Sequence, residues 1–163
     1  FIRKFKWNIK NRTGFKIMKI TLQRVTYANC IVDNKLVSEI NQGYMLLVGF
    51  THSDTIDNVK KMAKKVANLR IFEDENEKMN LSILDVKGEI LAISQFTLYA
   101  DTSAGNRPSF VNSMRPDPAN ELYQEFVNIL NNEYHIPTKM GVFGAHMVLN
   151  PVCDGPVTIN MEF

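Results

Sequence analysis

Two short stretches hold the residue types from which a reaction centre can be built. The first is Ser94-Gln95-Phe96-Thr97, which closes the apolar run Ile90-Leu91-Ala92-Ile93. Two hydroxyls and an amide crowd the end of a segment that is otherwise hydrocarbon. A buried hydroxyl or amide costs free energy unless it is hydrogen-bonded, so this cluster needs partners in the fold or a ligand. Bonding within the fold is the plainer of the two roles. The second stretch is Asp154-Gly155-Pro156-Val157-Thr158, where Gly-Pro is a turn signal.

Familiar catalytic sets are missing. There is no Gly-x-Ser-x-Gly elbow, no Walker loop and no dinucleotide-binding glycine set. His52, His135 and His146 are scattered without metal-ligand spacing and read as surface or packing residues. Glu73-Asp74-Glu75-Asn76-Glu77 is acidic but lacks the glycine of a Ca²⁺ loop, so it reads as a solvent-facing turn. No metal and no cofactor are expected. Hydrolytic chemistry on this chain would have to proceed without an evident general base.

Ser94–Thr97 and Gly155–Thr158, read as Ser-Gln-Phe-Thr and Gly-Pro-Val-Thr, resemble the two signatures of the D-aminoacyl-tRNA deacylase family. Gln23-Arg24-Val25, Arg70-Ile71-Phe72, Lys78-Met79-Asn80-Leu81 and Arg107-Pro108-Ser109-Phe110 fit the same pattern, in order, from Met18 to the end. The resemblance implies hydrolysis of the ester joining a D-amino acid, or glycine on tRNA(Ala), to the terminal adenosine of tRNA. L-aminoacyl-tRNA would be spared. It implies that main-chain N–H groups around Phe96 and Thr97 polarise the ester carbonyl, with the ribose 2′-hydroxyl assisting. A strand that ends and turns there can present such donors, each worth roughly 3–4 kcal/mol to an oxyanion. Thr97 Oγ as nucleophile is the rival, weakened because no base stands near it in sequence.

The resemblance also implies that the Gly155–Pro156 bond is cis and that its carbonyls enter the active site of a second subunit. Fixed carbonyls beside the substrate Cα would bind its amino group and leave no room for an L side chain. A homodimer follows from a site completed in trans. Val157 and Thr158 are expected beside the substrate. Phe143 and Met147 match positions at the adenosine or aminoacyl pocket, with core packing as the alternative. The chain departs from the family at Cys153, where Asn is common, which bears on turn stability or dimer contacts more than on chemistry.

The elements that must position these groups can be read from periodicity. Lys19–Val25 alternates apolar and polar, as a half-buried strand does. Asp33-Asn34-Lys35 separates two further strands as a hairpin turn, and Tyr44–Phe50 is a strand of core type. Residues 54–69 form an amphipathic helix, with Lys60, Lys61, Lys64 and Lys65 on a solvated face or, alternatively, on a track for the tRNA backbone. Residues 99–110 form a loop beside the proposed site. Asp117 as N-cap and Pro118 as first helical residue open a second helix, which Pro137 ends. Gly155–Thr158 is a turn before a terminal strand. The fold class is α+β: one domain, a mostly antiparallel, barrel-like sheet and two long helices.

The length, 163 residues, suits one domain with a sizeable core. Residues 1–17 contain six of the 19 basic residues and no acid, so residues 18–163 are net −4 although the whole chain is +2. That basic leader is expected to be a disordered appendage, an upstream read-through or cloning remnant, with a mitochondrial-type leader as the alternative. An acidic domain is a poor general nucleic-acid binder, which fits an enzyme that grips only the 3′ end of tRNA. No run approaches the ~20 apolar residues of a membrane helix. Cys30 and Cys153 make no disulfide framework, so a reducing cytoplasm is expected. The competing readings are a binding module that holds RNA 3′ ends or D-amino acids without turnover, and a hydrolase of other small esters.

Overall fold

The computed structural model describes residues 17–163. The expected leader therefore lies, apart from Ile17, outside the described residues. Strand β1 (Lys19–Val32) leads through Asp33-Asn34 into β2 (Lys35–Ile40). Both turn residues have positive φ, 49° and 60°, as a two-residue hairpin matching strand twist requires. Strand β3 (Gly43–Gly49) follows, then helix α1 (Ile56–Asn68). A small ribbon of β4 (Phe72–Glu73) and β5 (Met79–Leu81) precedes β6 (Glu89–Ser94), which runs into a 3-10 turn at Phe96–Tyr99. Helix α2 (Pro116–Asn132), β7 (Thr138–Met140) and β8 (Val148–Glu162) complete the chain.

The main sheet runs β2-β1-β3-β6-β7, and off that path β8 pairs β1. The hairpin strands pair antiparallel, while β3–β6 and β6–β7 are parallel because α1 and α2 serve as their crossovers. The two ends of this path nearly meet. Ser38 Oγ of β2 donates to Met140 O of β7 at 2.8 Å, and Lys139 Nζ donates to Glu39 O at 2.6 Å. The sheet is thus an almost closed barrel, mostly of strands, flanked by two long helices.

Strand β3 and the Ile90–Ile93 part of β6 are apolar because they are covered on both faces. Leu46 and Ala92 join Ile20, Met62 and Phe126 in the larger core, under α1 and α2. Met45 and Leu91 join Val25, Ala28 and Cys30 in a smaller core on the other face. Burial of apolar area on this scale, at about 25 cal/mol per Å², is the term that holds the sheet closed.

Two expectations about local structure are corrected. Helix α2 begins at Pro116 with Arg115 as N-cap, not at Pro118 with Asp117 as cap. The first N–H groups of a helix have no intrahelical acceptor, so prolines at 116 and 118 both fit the first turn, and Asp117 sits there as a favourable anion. Residues Gly155–Thr158 do not turn the chain between strands. They belong to the 15-residue β8, whose register against β1 jumps from Cys153↔Val25 to Thr158↔Gln23. Four residues, 154–157, bulge opposite Arg24 alone. A bulge and a turn share the Gly-Pro signature, and only the pairing of the flanks with one strand separates them.

Candidate active site

The site begins where β6 ends. Strand β6 is locked into both cores, and Gln95 N donates to Val48 O of β3 at 2.7 Å as the last rung of their ladder. After that rung the chain tightens into the 3-10 turn. The N–H groups of Phe96 and Thr97 find no acceptor among the described residues, because the first donors of a helical turn have no carbonyl behind them. Ala100 N already donates to Thr97 O at 3.0 Å. Glycine is required alongside at position 49. A Cβ there would stand 2.9 Å from Gln95 O and 3.2 Å from Leu98 Cβ, so the turn lies directly on the β3 backbone.

A cavity of about 630 Å³ opens at this end of β3 and β6. Ser94, Gln95, Phe96, Phe143 and Met147 line it. Thr97 is exposed just beyond that lining. The walls are mainly apolar, with Phe96 and Phe110 packed edge to face at 5.1 Å. Phe143 leans against Tyr123 at 6.0 Å, so it serves both the core and the cavity. Tyr123 donates its hydroxyl to Ala92 O at 2.6 Å, and burial pushes its phenol up, which keeps that proton in place.

Among the described residues no base is hydrogen-bonded to the Thr97 hydroxyl. Thr97 Oγ1 accepts a hydrogen bond from the Gln95 side-chain amide, which cannot take a proton. His146, read from sequence as a surface or packing residue, lines this cavity, as do Ser113 and Arg115. No hydrogen bond joins His146 to Thr97 among the described residues. Sequence reasoning missed Arg115 and His146 because neither belongs to a motif. Only the meeting of the α2 entrance with the segment before β8 brings them to one wall.

Gly155, Pro156, Val157 and Thr158 lie elsewhere. They sit on β8 against Arg24, whose register partner on β3 is Tyr44. The cavity lies beside Val48 and Phe50, four residues or more further along β3, roughly 13 Å away at strand rise. The Gly155–Pro156 peptide is cis. Arg24, buried at 5 % exposure, holds the bulge. Its Nη1 donates to Ile71 O at 2.6 Å and its Nε to Asp154 O at 3.2 Å. The Asp154 carboxylate is 3.3 Å from Nε, and Glu73 is 4.0 Å from Nη2. Thr158 Oγ1 donates to Gln23 Oε1 at 2.5 Å, while Gln23 Nε2 is buried without a partner among the described residues. Gly155 has φ +118°, where only glycine is at ease. Cys153 is exposed and Cys30 buried, and both thiols are free.

Among the described residues no group of three or more His, Cys, Asp or Glu could hold a metal ion. No helix there is long and apolar enough to cross a membrane.

The described residues thus form an almost closed α+β barrel with two unpaired main-chain donors at the mouth of a mainly apolar cavity. Comparison with known proteins gives the class its name. Residues 21–162 match the family model for D-Tyr-tRNA(Tyr) deacylase. A D-aminoacyl-tRNA deacylase of Fusobacterium nucleatum subsp. nucleatum is 52 % identical over 145 residues, covering 89 % of this chain and 95 % of the relative. One of Lactobacillus gasseri is 50 % identical, covering 89 % and 99 %. A solved structure described as c-Myc DNA Unwinding Element Binding Protein superposes with a TM-score of 0.85 at 39 % identity, covering 89 % of this chain and 98 % of the other. A probable eukaryotic D-amino acid tRNA deacylase shares the fold, with a TM-score of 0.75 at 17 % identity over 90 % and 99 % of the two chains. The chain belongs to the D-Tyr-tRNA(Tyr) deacylase family.

Proposed function

We propose that this protein hydrolyses the ester of D-aminoacyl-tRNA, and of glycine mischarged on tRNA(Ala), while rejecting L-aminoacyl-tRNA. Two unclaimed donors, the N–H groups of Phe96 and Thr97, support this reading most directly. They are free to hydrogen-bond the carbonyl oxygen of the ester and, more strongly, the oxyanion that follows attack. The terminal adenosine and the amino acid occupy the cavity bounded by Ser94, Gln95, Phe143 and Met147. The ribose 2′-hydroxyl assists the attacking water. The Gln95–Thr97 hydrogen bond favours this backbone route over a threonine nucleophile, because the hydroxyl has no base to take its proton. The family relatives favour hydrolysis over a binding module or a general small-ester hydrolase.

Chiral rejection falls to the Gly155–Pro156 carbonyls of a second copy. The bulge cannot serve its own cavity from the far end of β3, so the reading requires a homodimer with two composite sites. Val157 and Thr158 support the bulge from β8. The protein works in the cytoplasm, where its two free thiols persist.

The test is hydrolysis of D-Tyr-tRNA beside L-Tyr-tRNA. Preference for the D form is expected, and equal rates would end the chiral reading. Thr97→Ala should keep kcat within a few-fold, about 1 kcal/mol or less. Total loss of activity in a folded Thr97→Ala variant would make the hydroxyl the nucleophile.

A further inference from the structure

From residue 18 onward the chain is acidic by four charges, yet no acid lines the cavity. Its walls contain one arginine, Arg115, and one histidine, His146. Among the described residues Arg115 forms no ion pair within 4 Å. An arginine left without a carboxylate, on the wall of a cavity in an acidic domain, is a receptor for an anion that arrives with the substrate.

Its place is fixed by the residues before it. Thr51 Oγ1 donates to Asn112 O at 2.6 Å, Ser113 Oγ donates to Phe96 O at 3.0 Å, and Met114 N donates to Phe50 O at 3.0 Å. The segment leading to Arg115 is therefore tied both to the end of β3 and to the turn with the free N–H groups. Arg115 follows Ser113 by two residues, at most about 7 Å of chain. The start of α2 is not itself an anion cradle, because Pro116 and Pro118 lack N–H groups there. The guanidinium is the donor.

We infer that Arg115 holds the 5′-phosphate of the terminal nucleotide while the ester on the same ribose meets Phe96 and Thr97. This rests on the function proposed above. Phosphate and ester are separated by one sugar, a span that fits the short tether from Phe96 through Ser113 to Arg115. A planar guanidinium grips a phosphate with two parallel hydrogen bonds, which orients as well as attracts. Arg115 is a positioning residue: it places the ribose, and the chemistry stays with the backbone donors.

Three substrates separate the possibilities: D-Tyr-tRNA, the 3′-D-tyrosyl ester of adenosine 5′-monophosphate, and the 3′-D-tyrosyl ester of adenosine. The unaltered protein should prefer the phosphate-bearing ester over the plain one by about tenfold in kcat/KM, mostly through KM. Arg115→Gln should collapse that preference toward one and raise KM for D-Tyr-tRNA by a similar factor, with kcat little changed. Arg115→Lys should restore part of the preference, since it returns the charge without the fork. Arg115 is exposed, so both variants should fold. An unchanged preference in Arg115→Gln, or an equal loss on all three esters, would overturn the phosphate contact while leaving the deacylase reading intact. An unaltered protein inert on all three would overturn both.

Discussion

The Phe96–Thr97 turn and the Gly155–Pro156 bulge are built by opposite means. The turn is a continuation of a strand sealed in two cores, and its position is set by packing: Val48 fixes its start and Gly49 lies against its flank. The bulge is an interruption of a strand that, among the described residues, has a neighbour on one side only, and a single buried guanidinium holds it. The first region would position donors to within a fraction of an ångström, which oxyanion stabilisation demands. The second lies at the other end of β3 from the cavity, and on the proposed function its carbonyls serve a second copy. If the proposed roles hold, a catalytic turn sunk in the core and a selective bulge on the rim should fail differently when damaged.

The largest effect is expected at Arg24. Arg24→Ala would strip the bulge of its anchor and leave Ile71 O and the Asp154 groups without their donor. Asp154 and Glu73 are well exposed, so the cost lies in the stranded carbonyls, about 1–3 kcal/mol for each that is buried, read from denaturant midpoints. Hydrolysis of D and L substrates should become less distinct in whatever fraction remains folded. Gly49→Ala comes next. Its Cβ would press on Gln95 O and shift the donors, so kcat should fall about 10²-fold with the D/L ratio retained. Gly155→Ala is the mirror experiment. At φ +118° with Val157 Cγ2 2.9 Å from the new Cβ, strain of about 1–3 kcal/mol should deform the bulge. L-aminoacyl-tRNA should then be hydrolysed faster while the D rate changes little. Mixed dimers of Gly49→Ala and Gly155→Ala subunits should recover one intact composite site; no recovery would mean that neither bulge serves the partner's cavity.

The smallest effect concerns Asp54, which ties the loop after β3 by accepting from Met18 N and Thr51 N, each at 2.7 Å. Burial raises its pKa from 3.8 to about 6, against the pull of those two N–H groups. A carboxyl with a raised folded pKa stabilises the fold while protonated. That contribution is full below about pH 4 and is lost as pH rises through about 6. Relative to Asp54→Asn, the unaltered protein should lose about 1 kcal/mol per pH unit inside that window, measured by paired denaturations. A flat difference would remove the titration at Asp54.

Much of this could be read along the chain because periodicity is local. The apolar run through Ile93 followed by Ser94 and Gln95 marks a core strand and its end. The face of α1 bearing Val59, Met62 and Val66 is the one that is buried. What escaped was set by pairing at a distance. Nothing in Tyr44–Val48 states that its partner will be the parallel Ile90–Ser94 rather than another hairpin strand. Nothing in Gly155–Pro156 distinguishes a bulge from a turn without Gln23 and Val25 on either side. Arg115 and His146 are ordinary residues until the α2 entrance and the segment before β8 share a wall.

Among the described residues one flank of β8 is unpaired, which matters for the molecule in a crowded solution. A fifteen-residue strand with an open row of peptide groups is a template for stacking copy upon copy into fibrils. Pro151 and Pro156 delete donors from that strand, and the kink at 154–157 spoils its straightness. The same irregularity that shapes a specific rim thus also discourages indefinite polymerisation.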